Sequence, residues 1–254
     1  MKREKTNRLK SKIVFSAILL IIGYVVLLHL PQVFISKQFE YKSLHIHSNQ
    51  SLKLDDESKA VLDLVLENIG SSAYYKMGQE HHLFFVHGTL YEKMVRSIGY
   101  KNMAFAFMDK SIYCAKPDFL TRYLRRNKNE YEVMHLVQVI SHELVHNQMY
   151  DILGFNAIRK LKPWVREGYP EYIAYGQIQD SEDYQLADLS KRIASRKDPL
   201  WVTNEYDCLT SYTYAMDRLR MEFALDIQQS DIQNIMEINL AAAEIDKTIE
   251  QHFK

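Results

Sequence analysis

The longest hydrophobic feature of the chain is an apolar segment near the amino terminus, residues 13–30, in which His29 is the only acidic or basic side chain. As a helix, its 18 residues would extend about 27 Å, close to the roughly 30 Å apolar core of a bilayer. The pattern therefore predicts a transmembrane anchor. The alternatives are a buried helix of a soluble domain and a cleaved signal peptide, although residues 31–37 lack a small-residue cleavage site.

The charge of the chain is balanced overall, with 32 Lys and Arg residues against 32 Asp and Glu residues. Residues 1–12 nevertheless hold six basic side chains against Glu4 alone, a local charge of +5, and the remainder carries −5. Basic residues accumulate on the cytoplasmic side of membrane spans. We therefore expect a single-pass protein of the cell membrane, with a cytoplasmic amino terminus and an extracytoplasmic domain. A neutral chain without a Gly-rich phosphate loop does not suit a nucleic acid or nucleotide partner.

Beyond the apolar segment, helical and strand-like patterns follow one another and predict an α+β fold. Three-to-four spacing predicts a helix that ends at Gly70, and Thr89 is placed to cap a second, short helix. Two short β-like runs, 103–107 and 111–115, predict a hairpin. From Asp118 onward the pattern is mostly helical. The expected organisation is a basic tail (1–12), an anchor (13–30), a stalk (31–54) and one domain (55–254) with a small β-sheet followed by a mainly helical portion.

A long helix is predicted from Asn129 to about Tyr150, where Asn129 and Glu132 have the spacing of a capping box. Apolar residues cover a broad face of this helix, which is typical of a helix buried through a domain. These residues are Val133, Leu136, Val137, Ile140, Leu144 and Val145.

Within this helix, His142, Glu143 and His146 form an H-E-x-x-H motif. Histidines four residues apart project from the same helix face, so both imidazoles can reach one metal ion. Zinc favours imidazole nitrogen, and a catalytic zinc ion needs three protein ligands and one open position. Glu143 would then be placed to take a proton from water. The alternative is two histidines in ordinary core or surface positions with a solvated glutamate between them.

A second motif, Pro163 to Tyr175, could supply the missing ligand. Glu167 could return a carboxylate to the metal, and Glu171 lies one turn later on the same face. From there Glu171 could accept the free ring N–H of a ligand histidine and fix its orientation. The alternative is a solvated stripe of carboxylates on an amphipathic helix, which the preceding H-E-x-x-H disfavours.

Together these motifs resemble those of the gluzincin metallopeptidases, the superfamily of thermolysin. The W-x-x-E-G-x-x-E-Y pattern from Trp164 is similar to that of smaller, peptidase-like bacterial relatives. The resemblance implies a zincin-like domain with one zinc ion bound by His142, His146 and Glu167, and Glu143 as general base. It also implies an edge strand along the substrate cleft, for which the predicted hairpin is suitable.

The resemblance further implies a downstream tyrosine that stabilises the oxyanion. Tyr212 and Tyr214 are the candidates, and Tyr212 is the preferred one. Pro170 departs from the family pattern, because proline inside a helix removes a hydrogen bond. A helix that begins near Val165 or Arg166 would tolerate it, since the first-turn amides have no partner within the helix.

The sequence thus predicts a membrane-anchored zinc metallopeptidase that hydrolyses peptide or protein substrates outside the cytoplasm. One alternative is a zinc-binding ectodomain without catalysis, and another is a zinc amidase acting on cell-wall peptides. The other histidines are expected in ordinary surface or strand positions, with His135 packing near the site. Cys114 and Cys208 are too few for a disulfide scaffold, and whether they pair is left open.

Overall fold

The computed structural model describes residues 2–28, 30–35, 37–49, 52–97, 103–106, 111–125, 133–176, 185–238 and 240–253. The helices are α1 (Lys2–Leu28), α2 (Asp56–Gly70), α3 (Leu90–Ser97), α4 (Leu136–Leu153), α5 (Phe155–Ile158), α6 (Pro163–Ala174), α7 (Leu186–Ala194), α8 (Tyr212–Glu222), α9 (Ile232–Ile238) and α10 (Ala242–His252). The strands are β1 (Gln38–Tyr41), β2 (Leu44–Ser48), β3 (His81–Phe85), β4 (Ala104–Ala106), β5 (Ser111–Cys114), β6 (Lys116–Asp118), β7 (Tyr123–Arg125), β8 (Val133–His135), β9 (Trp201–Thr203) and β10 (Leu209–Ser211). The predicted α+β class is therefore confirmed.

The largest sheet is mixed and has the order β1-β2-β3-β5-β4. Strand β3 pairs in parallel with β2 and β5, whereas β1 and β4 pair antiparallel with their neighbours. The predicted hairpin is confirmed, with Ala104 opposite Cys114. Residues 31–54 differ from the expected stalk, because they supply β1 and β2, whose Leu44 and Ile46 are buried in the core. Burial of these two side chains ties the segment to the domain.

The predicted transmembrane anchor is not supported. No helix within the described part of the chain is both long enough and apolar enough to cross a membrane. The predicted single-pass span is therefore wrong, and the cytoplasmic amino terminus and extracytoplasmic domain that were inferred from it lose their basis. Helix α1 extends from Lys2 to Leu28 and contacts the domain through α3. The Tyr24 hydroxyl of α1 donates to the Met94 carbonyl of α3 at 2.7 Å.

Helix α4 is buried in the middle of the domain, where it contacts β4 and β5 on one side and α2 and α6 on others. The predicted buried face is confirmed, because Leu136, Ile140 and Leu144 are inaccessible to solvent. The predicted start is wrong: Val133 to His135 form β8, which pairs with β7, and the helix begins at Leu136. The backbone at His135 is extended, with ψ of 128°, and Asn129 lies outside the described residues.

Helix α6 begins at Pro163, two residues before the earliest predicted start. Proline suits this first helical position, because its φ is already helical and its missing N–H has no partner there. Pro170 consequently lies inside the helix, where it leaves the Arg166 carbonyl without its usual amide donor. Gly168 faces α8 so closely that a Cβ built on it would meet the Asp217 carbonyl oxygen at 2.4 Å. The absence of a side chain at Gly168 allows this helix pair to pack.

Candidate metal centre

Three of the residues selected from the sequence converge on one point. His142 and His146 project from successive turns of α4, and their Nε2 atoms are 3.1 Å apart. Helix α6 brings in Glu167, whose Oε2 lies 3.3 Å from His146 Nε2 and 3.8 Å from His142 Nε2. Both histidines are buried, and Glu167 is partly exposed. This cluster could hold a metal ion.

The donor set fits a tetrahedral ion. Two zinc–nitrogen bonds of about 2.0–2.1 Å at the tetrahedral angle place the two nitrogens roughly 3.3–3.4 Å apart. The distances between the candidate ligand atoms are 3.1, 3.3 and 3.8 Å, so they lie on both sides of that value. The surroundings also favour positive charge at this point. Although burial opposes protonation of His142, the nearby carboxylates, Glu171 first, outweigh it and raise the pKa of the ring to about 9. A bound cation would gain from the same carboxylates.

Glu171 and Gln138 lie behind His142, away from the point where the ligand atoms meet. Glu171 Oε1 is 3.2 Å from His142 Nδ1, and Gln138 Nε2 donates to Glu171 Oε1 and Oε2 at 3.3 and 3.1 Å. All three side chains are buried. Glu171 therefore occupies the position expected of a group that orients a ligand imidazole. Gln138 was not identified from the sequence, although its spacing of four residues before His142 places it on the same helix face.

Glu143 reaches the cavity from the side of α4 that faces the sheet. Desolvation raises the pKa of its carboxyl group, while His142 and His146 act in the opposite direction. The backbone N–H of Ala106, in the edge strand β4, donates to this carboxylate. A partly desolvated carboxylate with a raised pKa is suited to accept and release a proton.

The two candidate tyrosines have different surroundings. Tyr214 lines the cavity, and its ring packs edge-on against His142 at 5.7 Å between centroids. Burial and the nearby Glu167 and Glu143 raise the pKa of its hydroxyl, so that it keeps its proton. The ring of Tyr212 instead lies under the Arg196 guanidinium at 4.0 Å. The structure thus brings Tyr214 to the site and does not bring the preferred Tyr212.

A cavity of about 400 Å³ opens over the cluster. Its walls include Phe105 and Ala106 of β4 and Tyr150 of α4, together with Arg159 and Arg166. The Arg166 Nε donates to Glu167 Oε1 at 2.9 Å, which leaves Oε2 toward the histidines. Neither arginine was identified from the sequence, because their approach to the cavity depends on how α5 and α6 pack.

The remaining histidines and the cysteines lie elsewhere. His45, His47, His81 and His82 occupy strand positions, as expected, and His47 Nε2 is 3.1 Å from His82 Nδ1. His135 stacks on Tyr206 with 3.7 Å between ring centroids. Cys114 and Cys208 are both buried, and no disulfide joins them.

Comparison of the chain with protein-family models, with curated proteins and with solved structures gives no match.

Proposed function

We propose that this protein is a zinc-dependent metallopeptidase. The observation that carries the proposal is the convergence of two imidazole nitrogens and one carboxylate oxygen beside Glu143, at the wall of an open cavity. Two histidines and one glutamate are a donor set that zinc takes in catalytic sites, with one position left for reacting groups. Zinc held by His142, His146 and Glu167 would supply Lewis-acid chemistry, polarising a carbonyl group and making a nearby water more acidic.

In this proposal Glu143 carries the proton. It accepts a proton from the attacking water as the new carbon–oxygen bond forms, and it delivers that proton to the leaving amine as the carbon–nitrogen bond breaks. The products are a carboxylate and an amine, so no further reactant is needed. The amide of Ala106 holds the Glu143 carboxylate beside the cavity.

Tyr214 is the donor that we assign to the developing negative charge on the carbonyl oxygen. Its position against His142 and its raised hydroxyl pKa support this role, since an O–H that stays protonated can donate a hydrogen bond. Tyr212, with its ring against Arg196, has no such position.

A peptide substrate is supported by strand β4. It is the last strand of the five-stranded sheet, and its Phe105 and Ala106 border the cavity. The edge of a sheet offers backbone N–H and C=O groups that an extended peptide can pair with. A peptide on this edge would pass in front of Glu143.

The test compares the full-length protein with its Glu143→Gln variant. The wild type should contain about one zinc ion per chain by elemental analysis and should cleave members of a peptide library. Glu143→Gln should keep the zinc and lose activity by about 10²–10⁴-fold, because it removes the general base without removing a ligand. Glu250→Gln, on the exposed face of α10, is the matched control and should behave as the wild type.

Two results would contradict the proposal. Equal cleavage rates for Glu143→Gln and the wild type would exclude the proposed proton transfer. A zinc-loaded wild type that cleaves no peptide would favour a metal-binding module without catalysis. Mass spectrometry of the products would distinguish cleavage of ordinary peptides from cleavage of cell-wall peptides.

A further inference from the structure

The cavity beside the cluster has an excess of positive charge once a divalent ion is bound. Its charged lining groups are Glu143, Glu167, Arg159 and Arg166, whose formal charges cancel. His142 and His146 are neutral as metal ligands, and Glu171 behind His142 contributes one negative charge, so a divalent ion would leave a net charge of +1 around the site. Charge of one sign in a cleft attracts ligands of the opposite sign.

The two arginines are not equivalent. Arg166 is already engaged, because its Nε donates to Glu167 Oε1 at 2.9 Å. Arg159 is exposed, and no ion pair between described residues includes it. Its guanidinium lies 5.4 Å from the centroid of the Phe155 ring. A planar guanidinium supported by an aromatic face keeps its donors available for a ligand.

A row of aromatic rings leads from His146 to Arg159. The ring of Tyr150 is 6.5 Å from that of His146, and the ring of Phe155 is stacked 6.2 Å from that of Tyr150. Arg159 contacts the Phe155 ring, and both Tyr150 and Arg159 line the cavity. A substrate lying along this row with its scissile bond at the cluster would bring a neighbouring group to the guanidinium.

We propose that Arg159 binds a carboxylate of the substrate, so that the enzyme prefers peptides with a carboxylate close to the cleaved bond. This inference rests on the proposed peptidase function. Arginine and carboxylate form two parallel hydrogen bonds, which fix orientation as well as position. The carboxylate could belong to an acidic side chain or to the carboxyl terminus of the peptide, since both present the same group.

The test measures binding of four matched, fluorescein-labelled hexapeptides to full-length, zinc-loaded protein carrying Glu143→Gln, which prevents cleavage. The peptides contain an internal Glu or Gln and end in a free carboxylate or an amide. A peptide with the recognised carboxylate should bind about tenfold more tightly than its uncharged counterpart. Arg159→Gln should abolish this difference, and Arg159→Lys should restore part of it. Arg192→Gln, an exposed arginine on α7 outside the cavity, is the control.

Preference for the internal Glu would assign the site to an acidic side chain, and preference for the free carboxyl terminus would indicate an exopeptidase; either supports the proposal. Equal affinity for all four peptides, or a preference that survives in Arg159→Gln, would overturn it. If the wild type still cleaves the uncharged peptide in that case, the peptidase function stands and only the specificity is wrong. If no peptide binds or is cleaved, both proposals fail.

Discussion

Substitution of Gly168 by alanine tests the closest contact between the two helices that shape the site. The added Cβ would lie 2.4 Å from the Asp217 carbonyl oxygen and 2.9 Å from its carbon. Ordinary contact begins near 3.4 Å, so α6 and α8 must separate by about 1 Å or the backbone must deform. Overpacking typically costs about 1–3 kcal/mol, and a fixed backbone atom places this case at the upper end. Alanine regains about 1 kcal/mol of helix propensity. The expected net loss of stability is therefore about 2 kcal/mol.

Gly70 is the matched control, because it is also helical but no atom of a packed neighbour lies within 4 Å of the position that its Cβ would take. Gly70→Ala should leave stability unchanged or raise it by about 0.4–1 kcal/mol. Urea unfolding of both variants and the wild type, followed by circular dichroism, measures the difference. A Gly168→Ala protein as stable as Gly70→Ala would refute the reasoning, because α6 and α8 could not then be in contact at Gly168.

Two further predictions concern buried side chains. Glu171→Gln should weaken zinc binding about 10–100-fold, measured by competition with a chelator, because the carboxylate behind His142 no longer orients the ring. An unchanged zinc affinity would show that Glu171 does not support metal binding. Burial, with the charges of His82 and His45, lowers the pKa of His47 from 6.5 to about 4. The unfolded chain therefore takes up this proton first, and stability falls as the pH drops from 6.5 towards 4. The urea midpoint of the wild type should therefore decrease between about pH 7 and about pH 5, and it should decrease less in His47→Phe. An equal decrease in both proteins would show that His47 does not contribute to this pH dependence.

The features predicted correctly from the sequence depend on residues close together along the chain. The i, i+4 spacing of His142 and His146 is a property of any α-helix, so the structure of the rest of the chain does not alter it. The hairpin and the helix that ends at Gly70 are local in the same sense. The start of α4 differs from the prediction because Val133 to His135 pair with β7 as strand β8, and strand pairing overrides local helix patterns. Residues 31–54 differ from the expected stalk for the same reason, since the pairing of β2 with the distant β3 cannot be inferred from the polar composition of this segment.

The distinction between Tyr212 and Tyr214 shows what motif spacing leaves undetermined. Side chains two residues apart on a helix are separated by about 200° around the helix axis. At most one of the two tyrosines can therefore face His142, His146 and Glu167. Which one faces it depends on the rotation of α8 against α6, and that rotation is constrained where Gly168 admits the Asp217 backbone. The Asp217 backbone packs against Gly168. Tyr214 precedes Asp217 by three residues, so it lies on the same face of α8 and contacts His142. Gly168 thus has a role beyond its position next to Glu167: because it sets how closely α8 approaches α6, it determines which tyrosine borders the cavity.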